Sequence, residues 1–554
     1  MLTESRRPET SQDDQPFRTL VEGAAWRIPS TPTSRAAMGH HRTQVSTGET
    51  VPSSTYDLQR AIGANNASAV AALLQVHFYR YLAEVPELLQ HAFQTIPAVR
   101  YVAEPRLGIL HVIALAEMRP DAIPDRATVD AYREWIDAKE APLMHDVLEL
   151  RQAELAEFVA HGCVRDAVPL IEQTLADMRT ARLQEDLSDI APSVLMRCGK
   201  AKLLIADLRS ASDCFVDAIR WATRREEHPV AMLAREHLAL VHALEERFAD
   251  AESLLRVDSV AGSQPRTWPG RQGPAGMLAQ ILVNIASLDF LTADSSLAQI
   301  DDEISHGELG WVLLHARAQM PLSGIEKWDL IHRINTQLST GSKRTATHTL
   351  AGVTLRADLV GLYQAVDDLR AAGNLLTSPG CASQSWALTL PLARQALLCG
   401  RPERALALLR RNERDRQDAT PARHLPSGAV LYASAELAAS GDVAISTLEL
   451  AATAVTHHHG YAALTHASTA LRQRLAPLID VPDGPIPTPW AYRDKVKLTS
   501  REREVLVALH AHSTINQVAA ALHVSPNTAK THVRALYRKL GAHTRDEALW
   551  LGQP

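Results

Sequence analysis

The chain has 554 residues, and its 57 Lys and Arg against 63 Asp and Glu give a formal net charge of −6. That length accommodates several domains or one long solenoid. No apolar run approaches the roughly 20 residues needed to cross a bilayer, which argues against a membrane protein.

Residues 1 to 53 are rich in Ser, Thr, Pro, Arg and charge without sustained periodicity, so a disordered leader is expected there. Its start, MLTESRRPETSQDD, lacks an apolar signal core, which points to a cytoplasmic protein. His40 and His41 lie in this stretch without partners that would make a site. Five cysteines (Cys163, Cys198, Cys214, Cys381 and Cys399) are scattered singly and have no metal-ligand spacing. Reduced thiols in a cytosolic environment are the expectation.

From 54 to 475 the pattern is helical throughout, with aromatics at only 5% and Ala and Leu dominant. Internal repetition is the useful clue. VLMRCGKAKLLIADLRSASDCFVDAIRWA puts Gly199, Ala211, Phe215 and Ala218 at small and large packing positions of a helix hairpin. AREHLALVHALEERFADAESLL repeats the offsets with Ala239, Ala251 and Leu255, and Ala405 and Ala444 stand thirty-nine residues apart further on. Weaker echoes surround Ala167, Ser296 and Ala365, and the pattern is poor between about 305 and 345. These stretches resemble tetratricopeptide hairpins, although the period is nearer forty than thirty-four. The resemblance implies a helical solenoid with a concave face for a small-molecule or protein effector. Arg197, Lys202, His237 and His242 are groove candidates that fit a solvated surface equally well. His457, His458 and His459 point in different directions on a helix, so a helix C-terminus by Gly460 explains them better than a metal does.

Enzyme motifs are missing. Gly199-Lys200 has neither the upstream glycine nor the following Ser or Thr of a phosphate loop, and no zinc-protease, nucleophile-elbow or dinucleotide fingerprint occurs. No cofactor and no metal are expected. Residues 476 to 495 carry prolines at 477, 482, 485, 487 and 489, the composition of a semi-rigid linker.

Residues 496 to 554 carry the assignable chemistry. Thr499 stands three before Glu502, Thr514 before Gln517 and Thr544 before Glu547, each the spacing of a capping box. Ser525 before Pro526 supplies a capping hydroxyl followed by proline at the first helical position. Val505, Leu506, Leu509, Val518, Ala519, Leu522, Val524, Val533, Leu536 and Leu540 recur at helical spacing and close a small core. Lys530 and Arg534 lie four apart, on one face outside that stripe. Their chemistry suits guanine edges, and that of Thr531 suits a base edge or a thymine methyl. From Ala491 to Pro554 ten Lys and Arg face five Asp and Glu, a net of +5 that leaves −11 on the remainder. A basic tail on an acidic body favours phosphate at the tail alone.

LTSREREVL, QVAAALHVSPNTAKTHVRALYRKLGAH and TRDEAL resemble the LuxR/GerE-type helix-turn-helix domain. That resemblance implies a small four-helix domain after the helical body, and an all-α protein. It implies a recognition helix at about 526 to 540 in the major groove of double-stranded DNA, with Lys530, Thr531 and Arg534 facing bases. Ser525, Asn527, Thr528, Arg538 and Lys539 take backbone-contacting positions. The last helix, about 545 to 551, corresponds to a dimerisation element, implying a homodimer on DNA. The sequence departs from the pattern at His512, at Ile515-Asn516, where a phosphate-contacting lysine is usual, and at Ala529. The repeats together with this tail resemble large LuxR-family regulators of the MalT kind, but without a recognisable ATPase module. The expectation is a transcription regulator whose body senses an effector. The alternative is an interaction scaffold with a vestigial head.

Overall fold

The computed structural model describes residues 54–118, 123–181, 186–223, 228–260, 273–300, 308–340, 345–377, 388–415, 422–482, 486–487, 498–540, 545 and 548–549. The expected leader lies outside them, as do Cys381, the Thr544–Glu547 capping box and most of the linker. Every regular element among the described residues is a helix, in agreement with the expected all-α class.

The body is a succession of helix hairpins whose turns repeat one backbone solution. Ala206 (φ 64), Glu246 (φ 61), Leu288 (φ 66), Asp367 (φ 62) and Gly400 (φ 70) are each left-handed immediately after a helix. At each turn two N–H groups reach back to carbonyls of the last helical turn. Ala206 N donates to Leu203 O and Asp207 N to Lys202 O, and the pairs Glu246–Ala243 and Arg247–His242 do the same. This closure satisfies carbonyls that the helix end leaves open. The following residue then starts the next helix. Asp207, Asp289 and Asp368 accept from the N–H groups of Ser210, Thr292 and Ala371 at 3.2, 3.1 and 2.9 Å. A helix stop fused to a helix start gives a short reversal, and these reversals stand 40, 42, 79 and 33 residues apart along the chain.

The packing of one such hairpin follows the expected residues. Ala191–Leu204 and Leu208–Ala222 lie face to face, and a Cβ on Gly199 would stand 2.5 Å from the Phe215 ring. Ala211, Phe215 and Ala218 are fully buried, as are Ala239 and Ala251 in the next pair. Ala444 does not follow suit. It is exposed and stands at the N-terminal boundary of Ile445–His458, because the turn from Gly441 is longer there; Ala451 and Ala452 fill the core instead.

The four groove candidates are not solvated surface. Arg197 and Lys202 are buried in ion pairs with Glu117 at 3.0 Å and Glu172 at 2.6 Å. His242 is buried, and His237 Nδ1 lies 2.9 Å from Leu233 O. Long side chains covered by neighbouring hairpins carry charge inward only where a partner waits. Cys198 and Cys214 are buried, and burial pushes the Cys214 thiol up to about 12, so neither is a ready thiolate.

The late helices return to the middle of the body. Ser427 N, at the start of Pro426–Ser440, donates to Glu246 Oε2 at 2.8 Å across 181 residues of sequence. His459 Nδ1 lies 3.2 Å from Glu252 Oε2, in a left-handed residue that ends Ile445–His458. The His457–His459 run is thus a helix terminus, as expected. Gly460 permits a close approach, since a Cβ there would be 2.4 Å from Pro426. Body packing also continues past residue 476, with Ile479 buried and Val481 and Ile486 against the same cluster.

Candidate nucleic-acid interface

Three described helices build the C-terminal head: Ser500–Ala511, Ile515–Ala521 and Pro526–Leu540. Both expected capping boxes within the described residues form, Thr499 with Glu502 and Thr514 with Gln517. Ser525 Oγ accepts from Thr528 N at 3.1 Å and opens the third helix. Each cap fixes where a helix begins, and the caps together set the angle at which the third helix emerges.

Between the second and third helices the chain reverses at His523, which is left-handed at φ 54. His523 N donates to Ala520 O and Val524 N to Ala519 O, the same closure used in the body. Val505, Leu506, Leu509, Val518, Leu522, Val533 and Leu536 form the head's own core, with Val524 packed against it. Ala519 is also buried, and Leu540 has no described side chain. Ala529, one of the departures from the family pattern, is fully buried, so its small size is accommodated inside. Ala548 is fully buried in the same core and Leu549 packs on it. The other residues of the expected last helix, apart from Arg545, lie outside the described ones.

The outer face of the third helix is polar and basic. Asn527, Thr528, Lys530, Thr531, Arg534 and Arg538 are all exposed. Among the described residues no ion pair engages Lys530, Arg534 or Arg538. Thr531 Oγ1 donates to Asn527 O at 3.0 Å, and the Thr528 hydroxyl lies 2.8 Å from Ser525 Oγ. Lys539 differs from the rest of the face. Its Nζ lies 2.6 Å from Glu502 Oε2, tying the third helix to the first and holding the Glu502 carboxyl below its usual range. Asn516 is exposed on the second helix.

Two arginines that the sequence reading did not single out hold these helices together. Arg501 Nη2 donates to Leu522 O at 3.1 Å, at the end of the second helix. Arg545 Nη1 donates to Ser513 O at 2.8 Å, and Nη2 donates to Leu509 O and His512 O. One guanidinium thus satisfies the carbonyls left open at the end of the first helix. Arg545 was visible in the sequence within TRDEAL, but its acceptors lie more than thirty residues away. Arg545→Ala is therefore expected to cost the head about 2 kcal/mol, within the range for hydrogen bonds to a charged donor. Hydrogen exchange would register it as lost amide protection across 500–540 with the body unchanged.

One cluster elsewhere has the composition of a metal site. The ligand atoms of His145, Asp146 and Glu149 lie within 4.8 Å of one another. Lys139 occupies Asp146 at 2.6 Å, and Arg106 occupies Glu149 at 3.2 Å together with the Tyr132 hydroxyl. The carboxylates already hold cations of the protein, which makes the cluster an internal ion network.

Residues 496–551 match the family described as GerE, bacterial regulatory proteins of the luxR family. The probable transcriptional regulatory protein NarL of Mycobacterium tuberculosis is 39% identical over 79 residues, 14% of this chain and 29% of its own. The HTH-type transcriptional activator RamA of Corynebacterium glutamicum is 37% identical over 62 residues, 11% of this chain and 22% of its own. The CsgBAC operon transcriptional regulatory protein of Escherichia coli is 38% identical over 52 residues, 9% of this chain and 24% of its own. The chain thus covers less than a third of the length of these relatives. No solved structure matches it. No described helix is long and apolar enough to cross a membrane. With capped helices, a left-handed turn and an exposed basic third helix at family spacing, residues 496–551 are a helix-turn-helix domain of the LuxR family.

Proposed function

We propose that this chain is a sequence-specific, DNA-binding transcription regulator of the cytoplasm, controlled by a ligand or partner held by the helical body. The observation that carries this reading is the exposed pair Lys530 and Arg534, one turn apart on the helix that follows the head's turn and in no ion pair among the described residues. A helix of this kind enters the major groove of double-stranded DNA. There Lys530, Thr531 and Arg534 face base edges, while Ser525, Asn527, Thr528 and Arg538 lie along the phosphates. A single head with a net +5 has modest phosphate attraction, which favours two heads acting together as a homodimer on adjacent half-sites. Lys539 contributes to phosphate contact by the charge it brings to the groove edge, while its ion pair with Glu502 holds the helix in place.

Selection of DNA from a random pool with the full-length chain tests the proposal and supplies the target sequence. Lys530→Ala and Arg534→Ala are each expected to weaken that target by about 1–3 kcal/mol and to flatten base preference at one position per half-site. Lys539→Ala weakens all sequences alike. A pool that yields no enriched sequence even at low salt would sink the regulator and leave the protein-binding scaffold. Enrichment untouched by Lys530→Ala and Arg534→Ala would sink the assigned reading face alone.

A further inference from the structure

Inside the body, where the helices after Leu425 return against the turn at Glu246, lies a cavity of about 240 Å³. That is room for on the order of twenty water-sized positions, enough for a free amino acid. Leu350, Leu362, Leu390 and Met320 give it an apolar wall, and charged groups of both signs line the remainder. Such a mixture of apolar wall and few convergent polar groups characterises small-molecule sites.

The lining charges are not all accounted for by one another. Asp358 is satisfied, with His315 Nδ1 at 2.9 Å and Gln319 Nε2 at 3.3 Å. Glu246 is less so. Its Oε2 accepts from Ser427 N, and among the described residues no cation stands within ion-pair distance of it. Burial raises its pKa, against the hydrogen bonds from Ser427 and the nearby charges of Arg394 and His315. The residue occupies the left-handed turn position that Ala206, Leu288, Asp367 and Gly400 hold in other hairpins, so the hairpin turn fixes where its carboxylate stands. Lys327, whose ammonium pairs with no described residue, and the buried Arg394 bring positive charge to the same cavity.

Gly361 supplies a further observation. It lies within Leu350–Ala365, yet the nearest atom to a Cβ there would be Arg394 Nη1 at 3.9 Å. A glycine weakens a helix relative to alanine, and no atom of the described residues stands close enough to require this one. What its missing side chain leaves is space in the cavity.

We propose that this cavity binds a small amino-acid-type zwitterion, with its ammonium on Glu246, its carboxylate toward Lys327 and Arg394, and an apolar side chain against Leu350, Leu362 and Leu390. The site deepens the proposed control by an effector, and it rests on that reading only for its consequence on DNA.

Calorimetric titration of the full-length chain tests it. L-leucine is compared with isocaproate and isoamylamine, and L-phenylalanine with hydrocinnamate and phenethylamine. At least one amino acid is expected to bind ten-fold or more tightly than its deaminated and decarboxylated counterparts. Glu246→Gln keeps an acceptor for Ser427 and should erase the preference over the deaminated acid. Lys327→Gln should erase the preference over the amine, and Gly361→Leu should abolish binding. The proposal is overturned when neither amino acid outbinds its analogues, a comparison the unaltered protein decides by itself. It is equally overturned when Gly361→Leu folds and binds as before. Anisotropy on the selected DNA, with and without the bound amino acid, separates the two readings. Binding without any change in DNA affinity overturns the regulatory control and leaves the cavity site standing.

Discussion

Lowering the pH from about 7.5 to about 5 is expected to destabilise the helical body, three buried neutral histidines together losing about 6 kcal/mol before the groups that oppose them are counted. Burial, then the charge of Arg80, lowers His228 to about 4. Burial with Lys200 lowers His237 to about 3, and burial with Arg247 lowers His242 to about 4. In the unfolded chain each would titrate near 6.5. A folded pKa below the unfolded one contributes stability that is present above about 6.5 and lost as pH falls toward the folded value. At pH 5 each of the three has lost about 2 kcal/mol. His145 and His315 work in the opposite direction. Burial opposes their charge, but Asp189 and Glu149 in one case and Asp358 in the other raise their pKa, so they recover part of the loss on acidification. Glu117, lowered to about 2 by Lys200 and Arg197 against its burial, stays ionised through this window. Thermal unfolding across the range checks the balance. A melting temperature that rises on acidification would mean that these histidines are not buried neutral.

Phe215→Ala is expected to cost about 3–5 kcal/mol, the range for emptying a buried aromatic site. Phe215 is fully buried, its ring fills the space that Gly199 leaves open, and the His237 ring stands 5.5 Å away by centroid. Losing the ring therefore opens a cavity beside a histidine that burial keeps neutral. Denaturant unfolding with hydrogen exchange over 191–222 measures the effect. Gly199→Ala should be destabilising in the native chain, where its Cβ would meet the ring, and close to neutral once Phe215 is Ala. Additive effects of the two would show that the glycine and the phenylalanine do not share a contact.

The head was largely legible because its information is local. A capping box spans three residues and a helical core stripe recurs every three or four, so Thr499, Thr514, Ser525 and the apolar set can be placed without knowing what lies across from them. The basic face was legible for the same reason, since Lys530 and Arg534 are one turn apart. What escaped was every tie between distant segments: Arg545 on the carbonyls of the first head helix, Arg501 on Leu522, and Lys539 on Glu502. Each carries a charge that reads from sequence as surface or as a ligand contact, and only its acceptor reveals the structural role.

The body shows the same division more sharply. Small and large residues at Gly199, Ala211, Phe215 and Ala218 announced a helix hairpin, whereas the recurrent left-handed turn did not, because Ala206, Glu246, Leu288 and Asp367 are not glycines. Arg197, Lys202, His237 and His242 looked like candidates for a solvated groove and lie beneath neighbouring hairpins. Thus the sequence by itself determined the all-helical class, the starts of the three described helices of the head and its exposed basic face, since periodicity and capping act within a few residues. Only the tertiary structure decided which charges are buried, that Ser427 meets Glu246 across 181 residues, and that a cavity forms between them. Those outcomes depend on how stacked hairpins bring remote segments together, and no local pattern encodes that distance.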